Sequence, residues 1–459
     1  MAAWDAALES GFEMTAAAAP GSWDAGALGG PFQLGRVQYA LSAPLLQLCA
    51  ARNKLVLCLA ESTLRLVYID LDDPTQTCEA SVPPSTLRRA NCAPDVRLFM
   101  DPSAQHVLLN TGENNYYWTP SWTRVRPLAR LNGVCVTAAA WSAHVQVPAP
   151  APLPPGRHWA MTTVLLGTAR GDLLETTLAA HVSDTPGEIV DRFARKSAEF
   201  SLERGVHRLF TLSDAQPLAG LALMEDESAA AQQVAVIAAT PSRLYEFTGP
   251  RGTGDLAWEP VFQPYRSALL PHLKTELPGD GPSSLVTAAM PRDTHASMPA
   301  SSEARALEGR GADGGPRRQL TWQAPGGLYT AELTPTAPLE YTDFVPIADT
   351  PLAVARTLWH HVLVYTHRVV CLHTLDAHVV WEESLPLARG EHVVGIAMDP
   401  ANDMCWIYTN LGMWELIVER EDRDVWRLLL ARGEHERALA YCADEASRAE
   451  VLPSQGEAR

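Results

Sequence analysis

One short phrase, written twice, constrains this chain more than any other feature. Met100-Asp101-Pro102-Ser103 runs on to Val107-Leu108-Leu109, and far downstream Met398-Asp399-Pro400-Ala401 runs on to Cys405-Trp406-Ile407-Tyr408. In both copies a turn is entered from one apolar strand and left into another. Asp-Pro suits such a turn, because proline fixes φ while the aspartate side chain bonds back to the backbone. A strand–turn–strand unit that recurs cannot bury its own apolar faces and needs copies of itself alongside.

A looser unit fills the intervals: three or four apolar residues, a short polar turn, then an alternating strand. Leu55-Val56-Leu57-Cys58 leads to Leu64-Arg65-Leu66-Val67, and Val164-Leu165-Leu166 leads through Gly167 and Gly171 to Leu173-Leu174. Val234-Ala235-Val236-Ile237 leads to Leu244-Tyr245-Glu246-Phe247, and Val362-Leu363-Val364-Tyr365 to Val369-Val370-Cys371-Leu372. With residues 319–333 as a degenerate copy, the units number seven. Seven antiparallel sheets in a closed ring solve the exposed-edge problem by radial repetition, which leaves only short, protected edges. Units of ~40–45 residues plus insertions account for the length. The expected fold class is therefore mainly β: a seven-bladed β-propeller followed by a short α-helical hairpin, the start of an α-solenoid.

The expected boundaries follow the text. Residues 1–35, rich in Ala and Gly, read as a loose N-terminal arm, and residues 36–420 as the propeller. Within it, residues 147–156 (VPAPAPLPPG) cannot pair in a ladder, and residues 291–316, rich in Ser, Ala, Gly and Arg, read as a disordered insertion. Residues 193–203 are a strand or helix insertion that the pattern does not decide. After Arg420 the period changes. Ala438, Tyr441 and Cys442 stand at i, i+3 and i+4 on one helical face, Glu421, Asp422 and Asp424 favour a helix start, and Gly433 divides two short helices. Residues 421–459 thus read as the beginning of a helical solenoid, cut short. Trp426, beside Val425 and Leu429, is expected to wedge the first helix against the last blade. Asp424, Val425, Trp426, Leu429, Tyr441 and Cys442 together form the expected structural junction.

Charge and chemistry narrow the function. Thirty-six basic against 53 acidic residues give a formal net charge of −17, and no concentrated basic patch offsets it, so a nucleic-acid partner is not expected. Eight cysteines, none in a CxxC pair, sit mostly in apolar runs as free thiols of a reducing compartment. No apolar run reaches the ~20 residues that a membrane span needs, and the acidic N-terminus does not fit a secretory signal. Six histidines fall between His360 and His392 (His360, His361, His367, His373, His378 and His392), but apolar strand residues separate them, and no HExxH spacing gathers them. They read as structural or surface residues. The glycine run 249–254 (GPRGTG) lacks the lysine of a phosphate loop and reads as a hairpin turn. Glu382 and Glu383, adjacent on a strand, point to opposite faces and cannot act as a pair. Trp118, Trp122, Trp141, Trp322, Trp381, Trp406 and Trp414 read as packing between blades. Arg124, Arg126 and Arg130, and Arg305, Arg310, Arg317 and Arg318, read as solvated loop charges. No catalytic residue, cofactor, metal or small-molecule substrate is expected.

Three segments carry a resemblance: residues 125–133 (VRPLARLNG), residues 164–178 (VLLGTARGDLLETTL) and, most specifically, residues 423–442 (RDVWRLLLARGEHERALAYC). In the same order over about residues 36–450, the chain resembles the deep-orange family of vacuolar protein sorting-associated protein 18 subunits. The resemblance implies an N-terminal propeller joined to a long α-solenoid and a zinc-binding RING, of which only the first part is written here. It further implies a non-enzymatic scaffold of the HOPS and CORVET tethers, which bring endosomal and vacuolar membranes together before fusion. The implied partners are other class C tether subunits, with indirect, peripheral membrane association from the cytosol. Two other readings share parts of the pattern: a propeller–solenoid coat or nuclear-pore subunit, and a propeller enzyme or lectin using the channel mouth.

Overall fold

The computed structural model describes residues 14–16, 30–74, 77–82, 96–112, 114–120, 122–142, 157–183, 203–226, 232–253, 256–267, 270–279, 281–289 and 317–457. Its strands form seven antiparallel sheets, six of four strands and one of five. Blade 1 is built from β3 (Leu45–Ala51), β4 (Lys54–Ala60), β5 (Leu64–Asp70) and β6 (Thr77–Ser81). Blade 2 takes β7 (Val96–Met100) to β10 (Arg126–Pro127), and blade 3 β11 (Val136–Trp141), β12 (Arg157–Thr168), β13 (Asp172–Ser183) and β14 (Glu203–Thr211). Blade 4 has β15 (Gly220–Glu225), β16 (Gln233–Ala239), β17 (Arg243–Pro250) and β18 (Leu273–Glu276). Blade 5 has β19 (Ser284–Ala289), β20 (Arg318–Ala324), β21 (Gly327–Leu333) and β22 (Glu340–Pro346). Blade 6 has β23 (Ala353–Arg356), β24 (His360–Val364), β25 (Arg368–His373) and β26 (Val379–Ser384). In blade 7, β27 (Val393–Asp399), β28 (Met404–Thr409) and β29 (Met413–Val418) are completed by β2 (Phe32–Val37) and β1 (Met14–Ala16) from the other end of the chain.

The seven-bladed propeller read from the sequence is therefore present. The quoted hairpins at 55–67, 164–174, 234–247, 319–333 and 362–372 are second-to-third strand pairs of blades 1, 3, 4, 5 and 6. The two Asp-Pro phrases are first-to-second strand turns of blades 2 and 7. Asp101 accepts the N–H groups of Ser103 (3.0 Å), Gln105 (2.9 Å) and His106 (2.7 Å), which explains why the turn needs its carboxylate. Asp399 accepts Ala401 N–H at 3.1 Å and reaches into blade 1 for Asn53 N–H at 2.7 Å, so this turn also ties the ends of the ring together.

Second strands lie between neighbouring blades and are buried on both faces. They read as continuous apolar runs such as VAVIAA in β16, all six residues buried. One apolar cluster fills each gap between blades. Leu66, Val107 and Trp118 join blades 1 and 2, and Val362, Cys371, Ile407 and Trp414 join blades 6 and 7. Of the tryptophans named from the sequence, Trp118, Trp322, Trp406 and Trp414 are buried, while Trp122, Trp141 and Trp381 pack half-buried against the clusters.

Two expectations need correction, and a third is extended. The arm assigned to residues 1–35 contains the start of a blade strand: β2 begins at Phe32 and pairs with β29 from Phe32↔Val418 to Arg36↔Trp414. Closing the last sheet with the first strand replaces an open edge by a ladder. The glycine run at 249 is not a hairpin. Gly249 and Pro250 end β17, and the chain then enters α1 (Glu259–Arg266) before returning to β18. Two carboxylates bind this insertion: Glu175 accepts the N–H groups of Ala257 (2.6 Å) and Trp258 (3.1 Å), and Glu225 accepts the Trp258 indole N–H (3.1 Å). Burial pushes the Glu175 carboxyl up to about 7, against the pull of those N–H groups and of Arg251. Finally, the expected helical hairpin is present as α2 (Val425–Ala431) and α3 (His435–Ala440), and a third helix, α4 (Glu445–Glu457), extends it. The insertions at 147–156 and 291–316, most of the residues 193–203, and Gly254 lie outside the described residues, as do Arg305 and Arg310.

Candidate functional site at the propeller–helix junction

The helices α2 and α3 have seven and six residues, well below the ~12–15 that hold a helix in water unaided. Their stability has to come from what they dock on. Gly433, at φ +78°, reverses the chain between them. That turn brings Val425, Trp426 and Leu429 of α2 together with Ala438 and Cys442, and Val451 of α4 joins them. The other wall of this cluster is Trp359, 2% exposed, with Leu358 and Leu375 beside it. Trp359 meets the Tyr441 ring edge-on at 5.2 Å, and the Arg427 guanidinium covers the outer face of Trp426 at 5.1 Å.

Five of the six residues expected at the junction thus converge. The sixth, Asp424, starts α2 and bonds Arg423 (3.2 Å) and Arg427 (3.3 Å) instead of the propeller. Trp426 was expected against the last blade, whereas its cluster rests on turns of blade 6. Leu358 and Trp359 lie in the β23–β24 turn, and Leu375 follows β25. β29 is the third strand of blade 7, with β2 outside it, and the segment that follows it packs on the blade 6 turns.

The polar half of the junction centres on Glu421. One carboxylate oxygen accepts Thr357 Oγ1–H (2.6 Å), His360 Nδ1–H (3.1 Å) and Trp359 N–H (3.2 Å), and the other accepts Leu358 N–H at 3.2 Å. Burial alone would raise this carboxyl. The hydrogen bonds from His360 and Thr357, with the His360 ring and Trp359 N–H, overcome it and hold the group below the usual carboxylate range. Glu421 was read only as a favourable charge at a helix start. Its actual partners lie some sixty residues upstream, and no local spacing announces them.

The histidine run divides by depth. His360, His361 and His373 are buried, and His367, His378 and His392 are exposed. His360 faces His373 across the β24–β25 ladder, with ring centroids 5.0 Å apart. Burial drives His373 down to about 4, and drives His361 well below its ordinary value with Arg356, His360 and His373 adding to the effect. Among the described residues, no group of three His, Cys, Asp or Glu side chains could hold a metal ion. Burial raises the Cys49 and Cys58 thiols to about 12. Arg317 pairs with Glu332 at 3.0 Å, and Glu382 with Arg368 at 2.9 Å.

A ring of seven blades, sewn shut by its N-terminal strand and carrying docked helices at the sixth, is a β-propeller that continues into a helical segment. The chain belongs to the Pep3/Vps18/deep orange family, whose beta-propeller domain matches residues 30–418. It is similar to the vacuolar protein sorting-associated protein 18 homolog of Danio rerio, 24% identical over 413 residues, covering 89% of this chain and 38% of that protein. It is also similar to vacuolar sorting protein 18 of Arabidopsis thaliana, 23% identical over 389 residues, covering 79% and 33%. A shorter stretch of 107 residues is 31% identical to the Drosophila melanogaster homolog, covering 23% of this chain and 11% of that protein. The chain therefore spans between a third and two fifths of the length of the first two relatives.

Proposed function

We propose that this chain is the propeller end of a non-enzymatic scaffold subunit in an endosome/vacuole membrane-tethering complex of the HOPS or CORVET type. It acts in vesicle docking and fusion and in vacuolar protein transport. The observation that carries the reading is the match of the whole ring, residues 30–418, to the propeller domain of a family whose full-length members are named for vacuolar sorting. The blades offer a rigid disc whose rims and edges bind other class C tether subunits. Asp424, Val425, Trp426, Leu429, Tyr441 and Cys442, with Glu421, fix the direction in which a helical arm leaves that disc. The protein works from the cytosol, peripherally and through its partners, on late endosome and vacuole or lysosome membranes. Among the described residues no helix is long and apolar enough to cross a bilayer.

The test is affinity purification of the tagged chain from cells at physiological salt. Other class C tether subunits are expected in the eluate, with none recovered from a control bait. Their absence from repeated preparations of folded protein would end the tethering reading.

A further inference from the structure

A polar cleft of about 400 Å³ opens between blades 5 and 6 beneath the helices, and three arginines and two acidic residues line it. Arg356, from the end of β23, forms part of the lining although only 4% of it is exposed. Its guanidinium bonds only to neutral acceptors, Thr321 Oγ1 at 2.8 Å and the Gln319 side-chain oxygen, and its Nε has no acceptor among the described residues. The Glu421 carboxylate, engaged by the blade 6 turn, attracts it only from beyond bonding distance. A buried cation without a bonded counter-ion is costly to maintain. Trp359 lines the same cleft and its buried indole N–H also lacks an acceptor among the described residues. Arg432 and Arg437, on either side of the Gly433 turn, bring two further guanidinium groups to the lining, of which Arg437 is paired with Glu434.

The cleft's two acidic residues are partly engaged elsewhere. Glu332 is bridged to Arg317 at 3.0 Å, and Asp343 accepts its neighbour Phe344 N–H at 2.8 Å. Thr342 and Asp343 also place one side of the cleft along β22, which pairs only with β21 among the described residues. An outer strand with an open edge accepts an extended chain by backbone hydrogen bonding.

We propose that this cleft is a docking site for an acidic segment of a partner protein, seated along β22 with a Glu or Asp carboxylate between Arg356 and Arg432. Arginine suits this role because its planar fork matches a carboxylate with paired hydrogen bonds. The helices form part of the cleft, so an occupant would bridge the disc and the helical arm and stiffen the angle between them. The inference stands on the cleft itself and does not depend on the tethering reading.

Fluorescence anisotropy of the full chain with fluorescein-labelled hexaglutamate, at about 0.05 M salt where screening is weak, tests it. Saturable binding is expected. Arg432→Glu should weaken it at least about tenfold with an unchanged melting temperature, the loss typical of a charge-assisted contact. Arg356→Lys, which keeps the charge but not the fork, should weaken it as well; if that variant fails to fold, the Arg432→Glu result decides. Arg389→Glu, an exposed charge reversal on the loop before β27, should leave affinity within about twofold, as expected of a screened surface charge. Absence of saturable binding, or equal loss in Arg432→Glu and Arg389→Glu, would overturn the proposal. So would selective binding of phosphoinositide-doped vesicles in place of the peptide, which would assign the cleft to a lipid headgroup.

Discussion

Replacing Glu421 by alanine removes a carboxylate that accepts hydrogen bonds from Thr357, Leu358, Trp359 and His360. A hydrogen bond to a charged group contributes about 1.5–3 kcal/mol, and stranding its buried partner costs more than the bond was worth. The losses do not add fully, because the side chain is 15% exposed and water can reach part of the gap. About 3–5 kcal/mol is the expected cost, roughly the worth of two such bonds. The loss should be local, since Glu421 joins the helices to blade 6 and leaves the seven inter-blade clusters untouched. A change of about 3 kcal/mol raises the undocked population about 100-fold. Hydrogen exchange should therefore speed by about that factor over 425–442, while β16 and β24 keep their protection. Glu421→Gln, which retains one carbonyl acceptor, should show a smaller rise. The acidic limit gives a sign as well. The folded carboxyl sits below its unfolded value, so its contribution is present above the unfolded pKa and is lost as pH falls through the folded one. The difference between the wild-type and Glu421→Gln proteins should accordingly begin to shrink only as pH falls below the ordinary glutamate range, about 4.3. Unchanged exchange over 425–442, or a uniform rise across all blades, would refute this account of the junction.

Trp426→Ala should cost about 3–5 kcal/mol, the usual range for emptying a buried aromatic site, and it should release Tyr441 from protection while the ring stays closed; an unchanged melting profile of the helical segment would reject its place in the cluster. Phe32→Ala empties a core position in β2 (2% exposed) and should cost a similar amount, and removal of residues 1–37 should leave β29 as an open edge and turn a monodisperse protein into an aggregating one by light scattering. Glu175→Gln should become progressively more stable than wild type as pH rises. The folded carboxyl, raised to about 7, stays protonated to higher pH than the unfolded one, so its stabilisation is lost as pH rises through 7. Across pH 4.5 to 8 the difference between variant and wild type should grow by about 3 kcal/mol in urea melts, and a flat difference would place Glu175 in a wetter setting.

The hairpins were legible because their signal is local. An apolar run, a turn and a second run lie within about fifteen residues, and strands buried on both faces advertise themselves as unbroken apolar text. The repeat then pointed to the ring, because radial repetition covers the faces of seven such sheets and leaves only short, protected outer edges. The helical face of Ala438, Tyr441 and Cys442 was legible for the same reason: three positions on one cylinder are fixed by helix geometry alone.

What the amino-acid order could not state is where distant segments meet. Residues 32–35 looked like the end of an arm because a closing strand pairs with a partner at the far end of the chain and carries no neighbouring turn. Glu421 looked like a helix-start charge, and Trp426 was assigned to the nearest blade in sequence rather than the nearest in space. Arg356 ends an ordinary-looking strand, and only the packing of two blades and the first two helices leaves a buried guanidinium beside an open cleft. Local periodicity sets strands, turns and helix faces, because those depend on backbone geometry over a few residues. Closure, docking direction and the charge of a cleft depend on which remote surfaces the ring brings into contact, and that information exists only once the chain has folded.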